Sequence, residues 1–407
     1  MRTILIVAAM AAGLAACDAQ KDAAGDNGAA TADSADAKAG VDFDAIAKRV
    51  VTESAEVKPG EVVVINGSMA EPKLLEALTA AVLTAGGHPI VSVSFPRAEK
   101  RFLAEAPMEY LRQPSKAGLA LINAADVFIS ANAVEDPGLF ADVDEARLNA
   151  SREANQAVGE AATAKRARSV DIGQSGGIPT AAYAKSRGAD YDGMRAMFFK
   201  ALAVPTSVIA QRGAVVSGKM KPGQQVRLRT TSGTDLTFTL AANRSRVSTG
   251  RAADNDTGKG MASAFLPAGD FYACVDPASA NGVLVSPTET FRGKKIRNLK
   301  VTFKNGAIAS MTADEGAEQL QGYFAQLDDP SKKLSLINLG LNPESRPLKG
   351  SDYLSWEMSG VPTVQVGNSQ WAGCDNAGEG GLAVHQSGAT LAAGDAEVVK
   401  DGTLALN

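Results

Sequence analysis

The chain has 407 residues, 45% of them hydrophobic, with 41 basic against 45 acidic side chains and a formal net charge of -4. That length exceeds one ordinary hydrophobic core and predicts two domains. The balanced charge excludes an electrostatic footprint for nucleic acid, and the one dense basic patch, Arg292, Lys294, Lys295 and Arg297, reads as a solvated loop.

Residues 1–17 read as an export signal. Arg2 supplies the positive start, and Ile4 to Leu14 is an apolar stretch too short to span a bilayer as a mature helix. Leu14-Ala15-Ala16-Cys17 matches the bacterial lipobox, in which the Cys is lipidated and becomes the new N-terminus. An ordinary secretory signal cut near the same place is the alternative. The lipobox reading predicts a lipid anchor at Cys17, the membrane as a partner, and a place in the bacterial cell envelope facing the periplasm. Asp18 favours inner-membrane retention under a sorting rule that varies between lineages, so inner and outer membrane both stay open. Residues 18–40 carry five Asp against two Lys and almost no apolar bulk. Such a composition predicts a disordered tether reaching roughly 25–30 Å. No other segment approaches transmembrane length. Cys274 and Cys374 are the remaining cysteines, and an exported chain meets an oxidising compartment in which they can pair.

From residue 41 helical and strand patterns alternate. Phe43 to Val57 has helical spacing, and Val62-Val63-Val64-Ile65 is an apolar run suited to a buried parallel strand. Asn66-Gly67-Ser68 reads as a turn before a helix starting near Glu71, whose apolar face is Leu74, Leu75, Leu78, Ala81 and Val82. Gly86-Gly87 ends that helix. Pro89 to Val93 and Val127 to Ser130 follow as strands, with a helix around Ala117 to Ile122 between them and an Ala-rich helix over 142–167. These units predict an α/β N-terminal domain with a doubly wound, mostly parallel sheet over 41–218. Beyond Lys219-Met220-Lys221-Pro222-Gly223 the period changes to two. Val226 to Arg229 and Leu236 to Leu240 alternate, Asn305-Gly306 follows the strand Leu299 to Phe303 as a hairpin signal, and Asp401-Gly402 marks a last hairpin. With one helix over about 313–327, residues 219–407 predict an α+β, sheet-rich C-terminal domain.

Few motifs carry chemistry. Gly173-Gln174-Ser175-Gly176-Gly177 fits the Gly-x-Ser-x-Gly elbow between a strand and a helix, making Ser175 a candidate nucleophile beside the blander reading of a Gly-rich loop. The chain has two His, of which His88 reads as a turn residue and His385 as part of a strand. No Gly-x-Gly-x-x-Gly or P-loop pattern follows the first strand, so nucleotide binding has no support.

Several segments, in order, resemble the aminopeptidase T type of metallopeptidase. They are Val57-Lys58-Pro59-Gly60-Glu61-Val62, Gly86-Gly87-His88-Pro89, Pro179 to Ala184 with Gly188 and Tyr191, Leu266 to Ala273 followed by Asn281-Gly282, Gly340-Leu341-Asn342-Pro343, and Val366-Gly367-Asn368. The resemblance implies an α/β domain followed by a domain with a two-metal site, a homodimer around a cavity, a divalent metal of the zinc or cobalt type, and removal of N-terminal amino acids from peptides. Two cations roughly 3.5–4 Å apart would activate a bridging water. By the same resemblance, Asp270 stands at the first Glu ligand, Leu336 at the second Glu and Thr363 at the first His. Gln370 and Trp371 stand near an expected Tyr, and His385-Gln386-Ser387 replaces a closing His-x-Asp. Asp270 and His385 are thus the metal ligands the resemblance leaves, with Tyr272 or Asp375 as further candidates, and two ligands hold a metal weakly. Cys274 and Cys374 would fall near the metal cavity, as a disulfide, as part of a mononuclear zinc site with Asp270 and His385, or as unpaired buried thiols. The expectation is an envelope lipoprotein with a peptidase fold and most ligands replaced, binding a peptide or amino-acid-like ligand or acting as a scaffold. The alternatives are an active metal-dependent aminopeptidase with a rebuilt site and a metal-free hydrolase using Ser175.

Overall fold

The computed structural model describes Asp36 and residues 40–173, 176–256, 261–291 and 294–407. The expected export signal, Cys17, Gln174, Ser175 and Arg292 lie outside the described residues. The chain divides into two compact units. One holds the described residues up to Ala203 together with Gly250–Pro267, and the other holds Val204–Thr249 and Ala268–Asn407.

In the first unit α1 (Phe43–Arg49), capped by Asp42, leads to β1 (Val62–Ser68). Next come α2 (Pro72–Thr84), β2 (His88–Ser94), α3 (Pro96–Glu105), α4 (Met108–Leu111) and α5 (Lys116–Ala124). Then follow β3 (Val127–Ala131), α6 (Glu145–Lys165), β4 (Arg168–Ile172), α7 (Ala181–Ser186) and α8 (Tyr191–Leu202). β7 (Ala262–Leu266) returns to this unit and pairs in parallel with β4. The sheet order is β2-β1-β3-β4-β7, and every pair is parallel. The Val63–Ile65 run is buried as predicted. Alternate side chains serve opposite faces: Val64 and Phe128 pack with Ile122 of α5 and Val158 and Ala162 of α6. The other face receives α2. Because β1 has β2 on one side and β3 on the other, the crevice beyond the carboxyl ends of β1 and β3 is the switch point of the topology.

Asn66-Gly67-Ser68, read as a turn from composition, continues β1. Gly67 is there for close approach: an added Cβ would meet Leu75 Cδ2 of α2 at 2.3 Å. In the segment 18–40, read as tether throughout, the described residue Asp36 belongs to the folded body. Asp36 is buried at 6% exposure and ion-paired with Arg195.

The second unit begins with α9 (Thr206–Lys219). β5 (Gln225–Arg229), β6 (Asp235–Ser248), β8 (Asp270–Val275), β9 (Asn281–Phe291), β10 (Lys294–Lys304) and β11 (Ala307–Thr312) follow. After α10 (Ala317–Ala325) come β12 (Leu334–Gly340), β13 (Pro362–Gly367), β14 (Gly381–His385), β15 (Thr390–Ala393), β16 (Ala396–Lys400) and β17 (Thr403–Leu404). They form one sheet system ordered β14-β13-β12-β8-β6-β5-β15-β16-β17, with β9 on β6 and β10 and β11 beyond. The predicted hairpins form at Asn305-Gly306 and Asp401-Gly402, where both residues of each pair have positive φ. The division differs from the boundary read at 218/219. α9 packs on β6, β8 and β16, which moves the break to 203/204, and β7 carries Gly250–Pro267 back to the parallel sheet.

Candidate functional site

Strand alternation builds one polar row on the second unit. Along β8, Phe271, Ala273 and Val275 enter the main core, so Asp270, Tyr272 and Cys274 share the opposite face. Ile337 and Leu339 of β12, Val364 and Val366 of β13, and Val384 of β14 are sorted into the core in the same way. That leaves Leu336, Asn338, Thr363, Gln365 and His385 on the site face. The registers then line up Arg246, Tyr272, Asn338, Thr363 and His385 across β6, β8, β12, β13 and β14. Asp270 lies one step along, opposite Ser248 and Gly340.

The predicted ligands occupy this face without converging. Asp270 is fully buried, and its carboxylate lies against the Tyr272 hydroxyl. Burial first, then the Asp270 charge and hydrogen bond, push the Tyr272 phenol well above its ordinary range. His385 holds its Nδ1 2.6 Å from Thr363 Oγ1. Three strand spacings, roughly 14 Å, separate the strand of Asp270 from that of His385. The Trp356 indole stands between their neighbourhoods, with its ring 6.4 Å from that of Tyr272 and 5.9 Å from that of His385. Asp375 and Ser387 are exposed.

Leu336 is fully buried in a cluster with Tyr272, Cys274, Ala372 and Cys374, packed by Trp356 and Trp371. Trp371 meets the edges of both Tyr272 and Trp356, at 5.3 and 5.7 Å. Cys274 and Cys374 form a disulfide. Of the three readings left open for them, this is the one the structure holds. A mononuclear zinc site on Asp270, Cys274, Cys374 and His385 is overturned, because sulfurs bonded to each other supply no thiolates. Two buried atoms on the row, Arg246 Nη1 and Asn338 Oδ1, have no hydrogen-bond partner among the described residues, while Asn338 Nδ2 donates to the Trp356 carbonyl at 2.8 Å. Sequence reasoning missed Arg246, Asn338 and Trp356. Their shared signal was strand alternation, readable only once the registers of five strands were known.

The profile of the Thermophilic metalloprotease (M29) family matches residues 41–357. The chain belongs to this family. Among solved structures, wild-type AmpT from Thermus thermophilus superposes with a TM-score of 0.64 at 12% identity, covering 89% of this chain and 98% of that one. A 2,5-dihydroxypyridine dioxygenase from Pseudomonas putida KT2440 superposes with a TM-score of 0.53 at 14% identity, covering 89% of this chain and 96% of that one. No curated protein matches. The fold is that of aminopeptidase T, as the sequence landmarks implied.

M29 membership implies a divalent metal, and the donor set here does not fit a binuclear one. Such a centre needs several carboxylate or imidazole donors on neighbouring positions. At the positions the sequence resemblance assigns to two of them stand Leu336, inside an apolar cluster, and Thr363, hydrogen-bonded to the one His of this unit. Among the described residues no three His, Cys, Asp or Glu side chains are grouped as a metal ion requires.

Proposed function

We propose that this protein is an exported, lipid-anchored M29 member that has given up two-metal hydrolysis and uses the retained face to bind a short peptide or free amino acid. The observation that carries this reading is that Leu336, where the resemblance expects a Glu ligand, is buried in a cluster with Tyr272, Trp356, Trp371 and the Cys274–Cys374 disulfide. Export is supported by the lipobox at Cys17 and by a disulfide of the kind that persists in oxidising compartments. Ligand binding is supported by Arg246 Nη1 and Asn338 Oδ1, on one row and without a hydrogen-bond partner among the described residues. Buried polar atoms without a protein partner are rare in folded proteins, and the polar groups of a bound ligand are one means of satisfying them. A zwitterion offers a carboxylate to the first and an ammonium to the second, with the indoles as apolar walls.

The purified chain is expected to carry less than one tightly held divalent ion by elemental analysis. It is expected to release no amino acid from a peptide panel with zinc or cobalt added. Calorimetric titration with dipeptides is expected to show binding that Arg246→Met weakens by about tenfold, equivalent to ~1.4 kcal/mol. Two ions per chain with chelator-sensitive release of amino acids would instead establish an active hydrolase rebuilt around Asp270 and His385.

A further inference from the structure

The Arg195 side chain on α8 is 1% exposed, and all five of its N–H donors are engaged. Nη1 donates to Glu71 Oε1 at 2.8 Å and to the Pro179 carbonyl at 3.0 Å, and Nη2 donates to Glu71 Oε2 at 2.9 Å. Those three acceptors come from the switch-point end of the sheet. Glu71 follows β1 and opens α2, and Pro179 lies in the loop after β4. The face of Phe199 backs the guanidinium at 4.8 Å. The remaining two donors, Nε and the second N–H of Nη2, form a fork, and both teeth grip the Asp36 carboxylate. Asp36 is 159 positions away in sequence and belongs to none of the elements that build the pocket.

A guanidinium fork matches the planar geometry of a carboxylate and is indifferent to what lies behind it. The fold itself supplies three acceptors for five donors and leaves two for a carboxylate brought from outside the sheet. The location is the one where open α/β sheets bind ligands, beyond the carboxyl ends of the strands at the topological switch. We propose that Arg195, Glu71, Pro179 and Phe199 form a carboxylate-binding site that the chain's own N-terminal segment fills with Asp36, and that a carboxylate-bearing ligand such as an acidic peptide takes the site when Asp36 leaves. Asp36 thereby doubles as a cis-acting plug. The inference holds whether or not Cys17 carries lipid, and it is independent of the ligand reading on the second unit.

Chemical rescue tests it. In the full chain, Asp36→Ala is expected to lower the melting temperature by roughly 4–8 °C. Sodium acetate is expected to restore most of that loss in a saturable way, while sodium chloride at equal ionic strength is not. Wild type, already plugged, is expected to show no acetate-specific shift. A synthetic peptide of residues 30–40 is expected to bind the Asp36→Ala chain and not the wild type, and the same peptide with its Asp36 replaced by Ala is expected to bind neither. Arg195→Met on the Asp36→Ala background removes the acetate response. If that double variant does not fold, Arg195→Lys, which keeps the charge and loses the fork, is expected to weaken it. An Asp36→Ala chain that melts with the wild type overturns the proposal, as does acetate no more effective than chloride. Equal rescue by inorganic phosphate overturns the assignment to carboxylates.

Discussion

A Cβ added to Gly340 would stand 1.9 Å from the Met358 carbonyl oxygen, a backbone atom with no freedom to yield. Gly340 faces Asp270 across β8 and β12, so the polar row depends on this close approach. Gly340→Ala is expected to destabilise the protein by about 3 kcal/mol, as overpacking against rigid neighbours does, read from the urea midpoint. On α3, burial pushes the Glu99 carboxyl up to about 7 from 4.5. A folded-state pKa above the unfolded one means stability that is whole below about pH 4.5 and declines as pH rises to about 7. Glu99→Gln is expected to flatten that decline and to gain roughly 1–2 kcal/mol at pH 8, since Glu99 is only partly buried and the full shift overstates the effect. Urea midpoints compared at pH 4, 6 and 8 check both sign and size. The unfolding slope is expected to stay constant.

At the scale of elements, the strongest constraint on the site face is the disulfide from β8 to the segment after β13. It closes a loop of 100 residues. On the chain-entropy account such a loop contributes about 4.7 kcal/mol, and native disulfides give ~2–5 in practice. Cys274→Ala with Cys374→Ala is expected to lose that amount, and the wild type with reductant to approach the same denaturation midpoint. How far these elements could be read in advance follows from the range of the interaction that makes each one. β1, β2, β3 and the helices between them announce themselves by local period, as does the Asn305-Gly306 turn. β7 is hidden because its place is set by β4, far away in sequence. Asp36 is hidden for the same reason: nothing in its polar neighbourhood signals a buried guanidinium 159 positions on. At the site, His385 and Asp270 are visible as residue types, and the family landmarks imply that Leu336 and Thr363 stand where donors are expected. That an indole fills the space near His385 is not visible, since Trp356 reaches the row from the segment between β12 and β13.

For the whole molecule, Asp36 sets where a membrane-bound chain would be held. Lipid on Cys17 leaves 18 residues before Asp36, the difference of the two positions less one. Fully extended, that stretch spans at most about 65 Å, and as a coil it reaches roughly 25 Å. With lipid on Cys17, the first unit would be held near the bilayer through the Asp36–Arg195 contact. Cys17→Ala is expected to shift the protein from the membrane fraction to the soluble periplasmic fraction and to abolish acyl labelling. A protein that stays soluble with Cys17 intact would reject the anchor while leaving the Arg195 pocket untouched. Trp356 and Trp371 are the chain's only two tryptophans, and both pack against the disulfide cluster. Ultraviolet light chosen to excite indole alone therefore illuminates a single patch of this molecule. A disulfide packed against indoles is expected to quench that emission, so reduction is expected to brighten it and an arriving guest to shift its colour, a built-in optical gauge with no label attached.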